Sequence, residues 1–271
     1  MGINKKLQKI IADLSKCECE LIEEKGKVPP SKEMLESLLD YIRSLLFPSY
    51  YSTLLGADIN NLYTKISNCI LSAFEFFSDK KYDVDEITTT FLSSLLDVKK
   101  ILITDAQAIY KTDPAAISLS EVFISYPGFY AITLYRIAHS LYILGVPYIP
   151  RMICEIAHER TGIDIHPGAT IGESFAIDHG TGIVIGETSV IGSNVRIYQG
   201  VTIGAKSVDF DNNHEPTEKK KRHPTIKDGA IIYANATILG GDTVIGKNTI
   251  IGGNVWITHS VANNEKVYYK N

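Results

Sequence analysis

The sequence is poor in cysteine, methionine and tryptophan, with four, three and one residues respectively in 271. Cys17, Cys19, Cys69 and Cys154 have neither CxxC spacing nor dense pairing. This excludes a disulfide framework and a cysteine-based zinc site, and predicts reduced thiols in a reducing compartment. No apolar run approaches the ~20 residues that span a bilayer. The start, MGINKKLQKIIADLSK, lacks an apolar signal core, and Lys6 stands where a myristoylation signal has Ser or Thr. The expectation is a cytosolic protein without a membrane anchor. Charge of one sign is missing too: 27 Lys and Arg against 31 Asp and Glu leave a net −4, which gives no footprint for nucleic acid or an acidic membrane. The one basic cluster, Lys219-Lys220-Lys221-Arg222, follows Asp209, Asp211, Glu215 and Glu218, so this stretch reads as a solvated loop. What remains is an ordinary 45% of hydrophobic residues, enough core for one large domain or two modest ones.

Those hydrophobic residues fall into two patterns. Over residues 163–259 an isoleucine returns at every sixth position: Ile165, Ile171, Ile177; Ile185, Ile191, Ile197, Ile203; Ile226, Ile232, Ile238; Ile245, Ile251, Ile257. A helix repeats at 3.6 and a strand at 2, so a six-residue period predicts a solenoid in which each hexad forms one side of a coil and the isoleucines stack inward. The breaks fall at Asp178-His179-Gly180-Thr181-Gly182, with two residues too many, and between Ile203 and Ile226, a seventeen-residue excursion ending in Arg222-His223-Pro224. A one-residue slip at Gly240-Gly241 reads as a bulge. Insertions must leave the coil as loops, where function is commonly grafted, and the first two carry histidine beside a charge.

Ahead of the ladder the spacing is helical. Leu7, Ile10, Ile11, Leu14, Leu21 and Ile22 predict a helix within 1–27. Ser31 is the expected N-cap of a second, bearing Met34, Leu35, Leu38, Leu39, Ile42, Leu45 and Leu46 on one face. Further helices are predicted over 58–77, 83–110 and 127–144, and a last one leads to Gly162. The predicted fold is α+β: an all-helical region, 1–160, that caps the solenoid and mediates assembly, then a β-helix over 161–271. His139 and His158 lie within helices and read as structural.

Asp164 and His166 open the ladder, Asp178-His179 form the first bulge and Arg222-His223 close the loop. Asp164 and Asp178 are fourteen residues apart, close to one eighteen-residue coil, so neighbouring coils are expected to bring them together. An imidazole held by a carboxylate has a fixed tautomer and raised basicity, which makes His179, with Asp164 behind it, the expected general base. Arg222 offers a planar fork for a carboxylate, and Asp178, with Asp113, suits an ammonium. Together they fit the head group of a free amino acid.

These residues carry a family resemblance. The ladder together with Asp113-Pro114-Ala115, Tyr135-Arg136-Ile137-Ala138-His139, Asp164-Ile165-His166-Pro167-Gly168-Ala169, Asp178-His179-Gly180-Thr181-Gly182-Ile183-Val184-Ile185-Gly186-Glu187-Thr188 and Arg222-His223-Pro224 resembles serine O-acetyltransferase over residues 100–259. The resemblance implies a left-handed parallel β-helix, trimers paired into a hexamer through the helices, and acetyl transfer from acetyl-CoA, a co-substrate and not a resident cofactor, to the hydroxyl of L-serine. It implies His179 as base oriented by Asp164, Asp113 and Asp178 on the serine ammonium, Arg222 with His223 on the carboxylate and reaction centre, and Gly204, Ala205 and Ala234 against coenzyme A. It assigns no metal, and Glu187 belongs to the motif without a derived role.

Two departures stand out. Gly204-Ala205-Lys206-Ser207-Val208 replaces the Gly-rich stretch (GGTGK) before the RHP motif, and the loop to Arg222 is longer. The chain stops at Tyr268-Tyr269-Lys270-Asn271, without the isoleucine-ended tail by which some relatives dock into cysteine synthase, so that complex is not expected. L-cysteine, sharing the serine head group, is expected to compete. The rival readings are an acetyltransferase for homoserine or a sugar, a trimeric zinc hydrase of the γ-carbonic anhydrase kind with His166, His179 and His223 as ligands, and a purely structural β-helix subunit.

Overall fold

The computed structural model describes residues 5–10, 12–13, 29–51, 59–77, 80–207 and 220–269. Residues 5–10 and 12–13 are helical; the rest of the helix expected in 1–27, with Cys17 and Cys19, lies outside the described residues, as do Asp209, Asp211, Glu215, Glu218 and Lys219. Six helices follow: α1 (Lys32–Leu46), α2 (Ile59–Phe77), α3 (Val84–Thr112), α4 (Leu119–Ser125), α5 (Pro127–Ile143) and α6 (Ile149–Thr161). Each start has its chemical reason. Ser31 caps α1 by accepting from the N–H of Met34 at 3.2 Å, Asp83 caps α3 through Glu86, and proline opens α5 and α6, where its missing N–H costs nothing. The short α4 was not expected from the sequence.

The ladder folds as a parallel β-solenoid of about five coils. Its strands are β1 (Asp164–Ile165), β2 (Thr170–Ile171), β3 (Ala176–Asp178), β4 (Val184–Ile185), β5 (Val190–Ile191), β6 (Arg196–Tyr198), β7 (Thr202–Gly204), β8 (Thr225–Ile226), β9 (Ile231–Ile232), β10 (Thr237–Leu239), β11 (Val244–Ile245), β12 (Ile250–Ile251), β13 (Trp256–Ile257) and β14 (Lys266–Val267). Every third strand stacks on the same side, giving three sheets ordered β1-β4-β7-β10-β13, β2-β5-β8-β11 and β3-β6-β9-β12-β14. The thirteen ladder isoleucines all point inward and are buried, in register from coil to coil: Ile165 over Ile185 over Ile203 over Ile238 over Ile257 on the first side. The slip at Gly240-Gly241 is absorbed in the turn after β10, where Gly240 has φ +105°.

The helices close one end of this prism. A parallel coil satisfies its backbone only with coils on both sides, so the first coil would present orphan groups to solvent or to whatever covers it. Here α3 and α5 supply the partners. The Arg136 guanidinium donates to the carbonyls of Ile171 and Gly172, both at 2.6 Å. The Tyr135 hydroxyl donates to Ala169 O at 2.5 Å, and His139 Nδ1 bonds Pro167 O at 2.7 Å. From α3, Asp105 accepts the N–H of Phe175 at 2.8 Å and Thr104 that of Ser174 at 3.0 Å. Asp105 in turn holds Arg136 through two bonds, 3.0 and 3.2 Å, with both side chains buried. Gly128 of α5 lies so close to the coil that a Cβ would sit 2.8 Å from Ile177 O.

Candidate active site

Two of the three prism corners carry the functional groups. The first joins β3 to β4, where the coil has its two surplus residues. His179 sits there with φ +58°, a left-handed backbone that histidine tolerates better than most residues, and Gly180 and Gly182 continue with positive φ. The turn is closed by Ile183 N–H donating to Gly180 O at 3.0 Å and by Gly182 N–H to Gly162 O at 2.8 Å. Its imidazole therefore projects outward, 72% exposed, with Nε2 3.6 Å from Asp178 Oδ1. Asp178 also accepts from Arg196 at 2.6 Å, one coil onward on β6, and that guanidinium lies 4.6 Å from the Tyr198 ring centre. Asp113, at the C-terminus of α3, faces the same corner. The Tyr126 hydroxyl (2.6 Å) and the N–H of Ala115 (2.8 Å) hold its carboxyl below the usual range, helped by the charges of His179 and Arg196. The same bond pushes Tyr126 up to about 12.

The second corner lies between the first and second sheets. The turn after β1 supplies His166, the turn after β4 supplies Glu187 and Thr188, and the returning loop supplies Arg222 and His223. Arg222 donates to Glu187 Oε2 at 2.5 Å, and the Tyr142 hydroxyl of α5 donates to Glu187 Oε1 at 3.2 Å. Burial works to raise the Glu187 pKa, but the hydrogen bond and charge of Arg222 and the charge of His166 hold it below the usual range. His223 is buried, its ring against Gly186, where a Cβ would come within 2.0 Å of Nε2. Burial, reinforced by Arg222, pushes this imidazole down to about 4, so it is neutral at physiological pH. His166 is lowered for the same first reason, and its Nδ1 accepts the N–H of Gly168 at 3.0 Å.

The expected pairing of Asp164 with His179 differs from the geometry. Asp164 stacks beneath Val184 on the first sheet, whereas Asp178 stacks beneath Tyr198 on the third. Fourteen residues is not one coil here: the first coil has twenty, counted from Ile165 to Ile185, so the two aspartates lie on different sides of the same coil. Asp164 instead lies 3.9 Å from Arg151, with Glu155 and His158 nearby. Of the three residues expected against coenzyme A, Gly204 ends β7 and Ala205 follows it at the second corner, and Ala234 lies at the first, after β9. His166 and His223 share a corner that His179 does not. The only cluster of three ligand-type side chains among the described residues is Glu155, His158 and Asp164, which Arg151 already bridges. Sequence reasoning missed Arg196, Tyr126 and Tyr142 and left Glu187 without a role. Arg196 stacks on Ala176, two residues before Asp178, because this coil is twenty residues long, so an eighteen-residue count from the sequence does not give its register.

A helix-capped hexapeptide solenoid with His, Asp and Arg at its corners is the architecture of an acyltransferase. Residues 50–133 match the family described as serine acetyltransferase, N-terminal. A plasmid-encoded serine acetyltransferase of Synechococcus elongatus is 40% identical over 254 residues, covering 86% of this chain and 79% of that protein. The serine acetyltransferase of Bacillus subtilis is 48% identical over 141 residues, 52% of this chain and 61% of its own length. Among solved structures, serine acetyltransferase 1 of Entamoeba histolytica in complex with L-cysteine superposes with a TM-score of 0.76 at 37% identity, covering 87% of this chain and 86% of that one. The chain belongs to the serine acetyltransferase family.

Proposed function

We propose that this protein transfers acetyl from acetyl-CoA to the hydroxyl of L-serine, giving O-acetyl-L-serine and free CoA, the first step of cysteine biosynthesis. The observation that carries the reading is the division of charged groups between two corners: Asp113 and Asp178 beside an exposed histidine at one, and Arg222 beside a neutral histidine at the other. The aspartates suit an ammonium and the guanidinium a carboxylate. His179 takes the serine hydroxyl proton as the oxygen attacks the thioester carbon. The C–O bond forms, the C–S bond breaks, and the proton passes to the departing thiolate.

Along the first sheet, five residues from Gly182 to Glu187 separate the corners by roughly 15 Å. That is far wider than an amino acid whose two charges sit on one carbon. A ring of three copies, each presenting its first corner to the second corner of its neighbour, supplies both halves of one site. Trimers of this kind, paired through the helices, are the assembly we assign. Acetyl-CoA enters as co-substrate along Gly204 and Ala205 of one copy and Ala234 of the next. The cytosol, where thiols stay reduced, is the compartment assigned; among the described residues no helix is long and apolar enough to cross a membrane, and Cys69 and Cys154 are free and buried.

Release of free thiol from acetyl-CoA, followed with a colorimetric reagent, tests the reaction. Release is expected with L-serine, not with homoserine or a sugar, and is slowed by millimolar L-cysteine, the ligand of the Entamoeba relative. Equal release with homoserine, or none with any acceptor, rejects the assignment.

A further inference from the structure

His223 sits in a hydrogen-bond arrangement that decides where its proton lies. The Oγ1 of Thr188 receives two backbone N–H groups from the loop end, Arg222 at 2.9 Å and His223 at 3.0 Å. With both lone pairs taken, the hydroxyl has only its proton left to offer, and its remaining neighbour is His223 Nδ1 at 2.9 Å. The backbone N–H of Thr188 points at the same nitrogen from 3.1 Å. A protonated Nδ1 would face two donors with no acceptor between them. Nδ1 is therefore bare and the ring proton resides on Nε2. No hydrogen bond to Nε2 is made among the described residues, and this nitrogen lies on the side of the ring that faces Gly186, where there is no side chain to block it. Lys221 locks the same junction by donating to the carbonyls of Thr188 (2.9 Å), Pro224 (3.2 Å) and His223.

We propose that Thr188 is a positioning residue that fixes His223 as the Nε2–H tautomer, making it a standing hydrogen-bond donor in the acetyl-transfer site and excluding it as the base. The inference rests on the acetyl-transfer reading and divides its labour: of the two histidines, only His179 is free to take a proton. His223 Nε2–H is directed at an oxygen, either of the bound amino acid or of the oxyanion that forms on the thioester carbonyl, where a preset donor acts without reorganisation. The loop supplies His223, and Thr188 sets its proton.

The test is solid-state NMR of the whole protein carrying nitrogen-labelled histidine, with His223→Gln to identify the resonance, alongside kinetics of Thr188→Val and Thr188→Ser. Wild-type His223 is expected with Nε2 protonated and Nδ1 bare. Thr188→Val is expected to lose about tenfold in kcat, the order expected for one lost hydrogen bond, with little change in KM, and to admit an Nδ1–H population. Thr188→Ser restores both. A wild-type ring protonated on Nδ1 in an active protein overturns the lock alone, and needs no variant to fold. So does a Val variant with wild-type tautomer and kcat, or a Ser variant as impaired as Val. A ring with protonated Nε2 in a protein that releases no thiol with L-serine supports the lock and rejects instead the reading it rests on.

Discussion

His179 stands in solvent on a left-handed backbone, and both facts bear on how its role is to be tested. Alanine removes the imidazole but also places an ordinary residue at φ +58°, at a backbone cost of about 1–2 kcal/mol. Asparagine tolerates that conformation and has no basic nitrogen, so His179→Asn isolates the chemistry. We expect His179→Asn to lower kcat by about a hundredfold or more with an unchanged urea midpoint, as expected for an exposed side chain. Retention of more than about a tenth of kcat would contradict general-base catalysis here. The orienting carboxylate is the part of this residue's story that the sequence did not carry. Asp178 and Asp113 face His179, while Asp164 faces Arg151, because side-chain neighbours in a solenoid depend on coil length and the first coil is two residues over the hexad count.

At the scale of elements, the joint between α3, α5 and the first coil is a buried ion pair that also serves as a β-cap. Asp105 and Arg136 bond each other, one N–H and two carbonyls of the terminal coil, so removing either leaves a buried charge and orphaned backbone. Asp105→Ala is expected to cost about 3–5 kcal/mol in urea unfolding, whereas the double change Asp105→Leu with Arg136→Met costs less than the sum of the singles. Additive losses would mean that the two residues do not act as a unit. Tyr135-Arg136-Ile137-Ala138-His139 was legible as a motif, but its use was not: a one-dimensional pattern does not say that a helix side chain ends a sheet. The ladder was legible in full, since a six-residue period has one structural solution and Ile165 to Ile257 all fell inward. The seven residues of α4 escaped because so short an element has barely two turns of periodicity to display.

The whole molecule is a capped prism whose two charged corners lie across a sheet, and in the trimer proposed above its activity would be a property of neighbours. If each site takes His179, Asp178 and Asp113 from one copy and Arg222 and His223 from the next, then His179→Asn and Arg222→Ala damage opposite halves of the same site. Homotrimers of either variant contain only broken sites. A mixed ring always contains one junction at which an intact first corner meets an intact second corner, because going round the ring the copies must change from one variant to the other in each direction. Random mixing of equal amounts makes three rings in four mixed, each with one intact site in three. Co-expression of the two variants should therefore recover about a quarter of wild-type activity from parents that have almost none. Doubly mutated His179→Asn, Arg222→Ala protein co-expressed in equal amount with wild type sets the control: only junctions between two wild-type copies are intact, so about a quarter of full activity should remain, against about half if each site lay within one chain. Failure of the two single variants to complement, with mixed rings shown by tandem affinity capture, would place both halves of the site within one chain and require the first sheet to bring its corners closer than its strands allow.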